Sequence, residues 1–236
     1  MKNFGKYFGR MIGAAALVVA MALPAAAETV EVAPGVQVTK RSYTAPTNEQ
    51  PFFGFAAKSA EEKSGDEKFV SAMIAATGTR EKAFDEITKR AWRALNTGKI
   101  REAAVRFNQA FLISPEESAV YHGLAVVAQF RFSDFDAADE LFRIALKQPD
   151  PIKALRADYG RMLLLAKRPR DAEPVLEQAV KDAPDFGDAW TNLAVARLQN
   201  GNASAACVAV EEAFKRRPSN NSSQDLVTVK AAAQCK

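Results

Sequence analysis

Histidine is nearly absent from this sequence: His122 is the only one in 236 residues. A histidine-based metal cluster is thereby excluded, and a nucleophile–histidine centre would rest on that one side chain. Neither a G-x-G-x-x-G run nor a phosphate-binding P-loop occurs. Carboxylates are plentiful but dispersed along helix faces rather than paired. No catalytic residue, metal site or cofactor is assigned, and the chain reads as a non-catalytic protein. Sustained alternation and β-branched runs are also missing, so little or no sheet is expected. The longest apolar run, Met11 to Leu23, is about 13 residues, against about 20 for a bilayer span.

That short run has a different meaning. Lys2, Lys6 and Arg10 precede it and Ala25-Ala26-Ala27 follow it, the order of a secretory signal with cleavage near Ala27. The expectation is an exported, periplasmic chain with no transmembrane span. Removing those three cations from 32 basic residues leaves 29 against 28 acidic ones, a net charge of +1 rather than +4. Nucleic acid binding loses its electrostatic motive. In an oxidising compartment the only two cysteines, Cys207 and Cys235, form one disulfide or remain two half-buried thiols.

Residues 28–65 are polar and proline-rich with no helical period, and read as an extended or disordered linker. Its anomaly is Pro51-Phe52-Phe53-Gly54-Phe55, an aromatic cluster with no core around it. Two destinations are open for Phe52, Phe53 and Phe55. One is the N-terminal helix near Phe69; the other is the apolar groove near Trp92, Val126 and Phe130. Residues 66–78 read as a short capping helix stopped by Gly78. From 79 onward the pattern is almost wholly helical.

Within 79–218 the chain repeats at about 34 residues. Each copy ends in a second helix with a small residue, a bulky one four later, an alanine three later and then a proline. The sets are Ala103/Phe107/Ala110/Pro115, Ala138/Phe142/Ala145/Pro149, Ala172/Leu176/Ala179/Pro184 and Ala206/Val210/Ala213/Pro218. First helices recur as Tyr121/Leu124/Ala125/Ala128, Tyr159/Gly160/Leu163 and Trp190/Leu193/Ala194, while the one near Ile87 to Ala94 is degenerate. Small residues let two helices approach, the bulky one fills the gap, and proline ends the hairpin.

This pattern resembles the tetratricopeptide repeat family, whose signature runs W-x2-L-G-x2-Y, then A-x3-F, A and P. The resemblance implies an all-α, right-handed solenoid of about four helix hairpins, with an extended N-terminal segment. Residues 219–236 supply a C-terminal capping helix through Leu226, Val229 and Ala233, started by Ser222 or Ser223. It also implies a concave groove lined by the first helices, here Trp92, Leu95, His122, Val126, Phe130, Arg161, Leu164, Val195 and Leu198. Some members clamp a terminal carboxylate with basic residues and asparagine. At those places this chain has Thr88, Trp92, Gly123, Ala154 and Asp158, so the clamp is missing. The expected function is a scaffold of the cell envelope that holds an apolar peptide or partner segment. Alternatives are a self-associating structural protein, hence a homo-oligomer, and an enzyme subunit.

Overall fold

The computed structural model describes residues 28–236. The export signal read at 1–27 lies outside the described residues. Among those described, ten α-helices follow one small antiparallel hairpin. The fold is an all-α solenoid, as the repeat spacing predicts.

Four helix hairpins make the array: α2 (Arg80–Asn96) with α3 (Ile100–Ile113), α4 (Ser118–Phe132) with α5 (Phe135–Ala145), α6 (Leu155–Leu165) with α7 (Pro169–Asp182), and α8 (Gly187–Gln199) with α9 (Ala203–Lys215). The repeat sets sit at the helix contacts. Phe107, Phe142, Leu176 and Val210, and the alanines flanking each, are at most 1% exposed. The approach is close enough that a Cβ on Gly123 would stand 2.1 Å from the Phe107 ring, and one on Gly160 2.3 Å from Leu176. The closing prolines also tie successive hairpins together. Tyr121 donates its hydroxyl to the Pro115 carbonyl at 2.6 Å, and Trp190 its indole N–H to that of Pro184 at 2.9 Å.

Each turn inside a hairpin passes through the left-handed region, at Gly98, Ser133, Lys167 and Gly201, with φ of +75°, +54°, +59° and +83°. Glycine adopts this without a Cβ penalty, so Gly98 and Gly201 read as stops in the sequence. Ser133 and Lys167 do the same work at a cost.

Both ends of the array are covered. α10 (Asn220–Ala232) packs on α8 and α9 through Leu226 and Val229, and Ser219 rather than Ser222 or Ser223 caps it. Cys207 and Cys235 are disulfide-bonded, with Cα atoms 5.4 Å apart, joining α9 to the residues after α10. At the other end α1 (Ala60–Thr77) packs on α2 and α3 through half-buried Phe69, Val70, Met73 and Ile74. It starts six residues earlier than Asp66 because Ser59 and Glu62 form a reciprocal capping box.

The largest correction concerns residues 28–65, which hold a β-hairpin and two short turns where a linker was read, with 60–65 already part of α1. Strands β1 (Thr29–Ala33) and β2 (Val36–Thr39) pair antiparallel across a Pro34-Gly35 turn, Val30 opposite Val38. Their alternating valines are the missed signal, too short to register beside their polar neighbours. Val36 and Val38 are buried, and the Thr39 backbone and hydroxyl both donate to Glu140 of α5, at 2.7 and 2.9 Å. Two 3-10 turns follow, Thr47–Glu49 and Pro51–Phe55. Residues 29–55 thus form an arm laid along the second helices of the first two hairpins.

Candidate binding cleft on the concave face

The first helices α2, α4, α6 and α8 leave an open cleft of about 480 Å3 between them, closed at one end by the start of α10. Trp92, Leu95, Val126, Phe130 and Arg161 line it, five of the residues read from the sequence. Phe130 is 53% exposed, an unusual state for a phenylalanine beside a tryptophan and a valine. Its position follows from the α4 pattern. Residues 120 to 129 are buried on all sides between α3, α5 and the neighbouring first helices, and Phe130 is the first to emerge.

His122 is not a lining residue. It is fully buried beneath the cleft, its ring edge-on to Trp92 at 4.7 Å and tilted against Phe142 at 5.6 Å. Its Nε2 lies 2.9 Å from Asp158 Oδ2, while Nδ1 has no hydrogen-bond partner. It therefore props Trp92 from below and fixes the Asp158 carboxylate at the cleft surface. Leu164, Val195 and Leu198 are also off the cleft, half-buried against the core.

The sequence reading missed the polar wall. Asp158, Asp188, Asn192, Ser219 and Ser222 line the far end of the cleft. Arg161 bridges to Asp225 of α10 at 3.0 Å and to Asn192 at 3.4 Å. Asp188 accepts the Ser219 N–H at 2.7 Å, anchoring the first turn of α10. Only Asp158 had a sequence signal, as a carboxylate at an inward position of α6; the rest depend on where α10 lands.

The aromatic cluster of the arm goes to neither place expected of it. Phe52 is buried on the outer face, edge-on to Phe111 at 5.2 Å and against Tyr121 at 6.1 Å. Phe55 packs beside it at 5.6 Å, and the Lys58 ammonium sits 3.4 Å from the Phe53 ring centroid. Burial pushes the Tyr121 hydroxyl up to about 12, with Glu116 adding to the shift. Tyr43, stacked on Phe132 at 4.0 Å, is raised too, first by burial and then by Asp134, which accepts its hydroxyl. The arm is thus fixed to the convex side while the concave cleft stays open.

Among the described residues no group of three or more His, Cys, Asp or Glu is arranged to hold a metal, and no helix is long and apolar enough to cross a membrane.

Residues 163–228 match the tetratricopeptide repeat family model. No curated protein matches the sequence. Several solved structures share the architecture. The pilF protein of Pseudomonas aeruginosa is 24% identical over 66% of this chain and 73% of its own, with a TM-score of 0.57. MamA of Desulfovibrio magneticus RS-1 is 21% identical over 67% of this chain and 88% of its own, at 0.51. The APC/C hetero-tetramer Cut9-Hcn1 contains a chain 21% identical over 67% of this one and 34% of its own, at 0.53. At such identities the likeness is one of fold. With the family match over its last third, and with that fold running through the hairpins before it, the protein is a tetratricopeptide-repeat solenoid.

Proposed function

We propose that this protein is a non-catalytic binding module of the cell envelope, exported with loss of residues 1–27, which holds an apolar segment of another protein in its concave cleft. The observation that carries this is Phe130, half-exposed beside Trp92, Leu95 and Val126 in an open cleft. Burying the half of this side chain that is still exposed removes on the order of 100 Å2 of apolar surface, about 2.5 kcal/mol at roughly 25 cal/mol/Å2. The arm leaves the cleft empty, so a partner need not displace it. The repeat fold supplies a rigid concave surface of the kind on which peptides dock, and the dispersed carboxylates and lone buried His122 give no catalytic constellation.

The test is site-specific crosslinking in cells. A photoreactive residue at Phe130 is compared with one at Val208, which is exposed on α9. A discrete adduct with one other protein from position 130 and none from 208 is expected. An adduct with a second copy of this chain would instead make it a self-associating protein, and no adduct from position 130 would reject the cleft. In the same cells, N-terminal sequencing of the envelope fraction should begin at or near Glu28.

A further inference from the structure

The cleft is apolar only in its middle. On the other side of Phe130, which lines both, lies a second hollow of about 510 Å3 at the α2–α3 turn, lined by Lys99, Arg101 and Arg131. The carboxylates nearby do not cancel these cations. Glu49 lies 2.7 Å from Arg131 but reaches Arg101 only at 3.9 Å, and the Arg101 side chain is 76% exposed. Glu102, which shares the hollow, faces Arg106 at 3.8 Å. Lys99 makes no ion pair with the described residues. That end of the cleft therefore carries surplus positive charge.

The opposite end is its inverse. Asp225 is matched by Arg161 at 3.0 Å, which leaves Asp158 and Asp188. Among the described residues the polar partner of the Asp158 side chain is the His122 ring, and Asp188 accepts a backbone N–H from Ser219. Neither contact supplies a neutralising guanidinium or ammonium. Between the two ends lie Trp92, Leu95, Val126 and Phe130. The order along the cleft is cation, apolar, anion.

We propose that the cleft selects its occupant by charge order. The segment it fits is amphipathic, with acidic residues over Lys99 and Arg101, aromatic or branched aliphatic residues over Trp92 and Phe130, and basic residues over Asp158 and Asp188. Complementary ends fix register and exclude wrong partners, since like charges brought face to face are repelled. The proposal rests on the concave cleft being the binding site.

Three labelled peptides with one common Leu-Phe-Leu centre test it by fluorescence anisotropy on the full mature chain. One has a glutamate end and a lysine end, one has two glutamate ends, and one has two lysine ends. The mixed peptide should bind tightest, each uniform one about five- to tenfold more weakly at low salt, with the gap closing as salt rises. Lys99→Glu with Arg101→Glu, both exposed and remote from the core, should transfer the preference to the lysine-ended peptide. Asp188→Asn keeps an acceptor for Ser219 and should weaken the lysine-containing peptides alone. Equal binding of all three, still abolished by Phe130→Ser, would overturn the charge order and leave the cleft standing. Binding indifferent to Phe130→Ser, or no binding of any peptide, would remove both.

Discussion

Asn108, wholly buried on α3, donates its side-chain amide to the Gln50 carbonyl at 2.7 Å and to the Asn48 carbonyl at 3.0 Å. An asparagine on the outer face of a second helix faces solvent in a bare array, so its burial is made by the arm. The Gln50 side chain braces the same stretch, accepting the Tyr43 N–H at 3.3 Å and donating to the Ala45 carbonyl at 2.6 Å.

Asn108→Ala should therefore release the arm before it harms the array. The exposed Asn48 carbonyl loses its protein donor and the Gln50 carbonyl keeps only the Phe53 N–H at 3.1 Å, a cost of about 1 kcal/mol. Limited proteolysis should cut within residues 40–58 much faster than in the parent, while the far-UV circular dichroism of the helices is unchanged. An arm that stays protected would show that the hairpin on α5 holds it unaided.

Lys167 offers the opposite change. Its φ of +59° stands where Gly98 and Gly201 occupy the equivalent turns. Lys167→Gly removes a left-handed penalty of about 1 kcal/mol and touches no ion pair in the described residues. A small rise in melting temperature is the expected result; a fall would mean that the extra chain freedom of glycine outweighs the relieved strain.

These two sites also show how far the sequence was legible. The hairpins could be read because Ala-x3-bulky-x2-Ala is a packing requirement repeated four times, and each copy can be checked against the others. The middle of the cleft was readable for the same reason, since Trp92, Val126 and Phe130 fall on inward phases of their helices. What repeats cannot reveal is whatever occurs once. The arm hairpin rests on four valines and one Pro-Gly turn, and the arm's partners Glu140, Asn108 and Phe111 lie 58 to 101 residues away. His122 looked like a groove residue because its helical phase is right. Only the depth of Trp92 above it shows that it is covered.

The disulfide should matter locally rather than globally. Cys207 and Cys235 close a loop of 28 residues, for which chain entropy gives about 3.5 kcal/mol. Reduction, or Cys235→Ser, should expose the amides of α10 to hydrogen exchange while those of α2 to α7 keep their protection. It should also loosen the Arg161–Asp225 bridge and so the acidic end of the cleft. Uniform loss of protection across all helices would mean that the last hairpin cannot stand without its cover.

The aromatic arm gives the sharpest contrast between the two faces of the solenoid. Phe52, Phe53 and Phe55 all have positive φ, between +54° and +57°, in a left-handed turn that costs about 1–2 kcal/mol per residue. Such a turn persists only because its surroundings over-determine it. Phe52 wedged against Phe111 and Tyr121 is the main compensation, since losing a buried phenylalanine costs about 3–5 kcal/mol. Replacing Phe52, Phe53 and Phe55 with serine keeps the strained geometry unfavourable and removes what offsets it, so the turn should open. The consequences belong to the convex face: rapid cleavage of the arm, and a Tyr121 hydroxyl that titrates closer to 10 than to 12. Trp92 contacts Phe107 and His122 on the other side, and its emission should not move. A shifted Trp92 spectrum would show that loss of the arm is transmitted through Phe107 to the cleft, and that the two faces are coupled rather than independent.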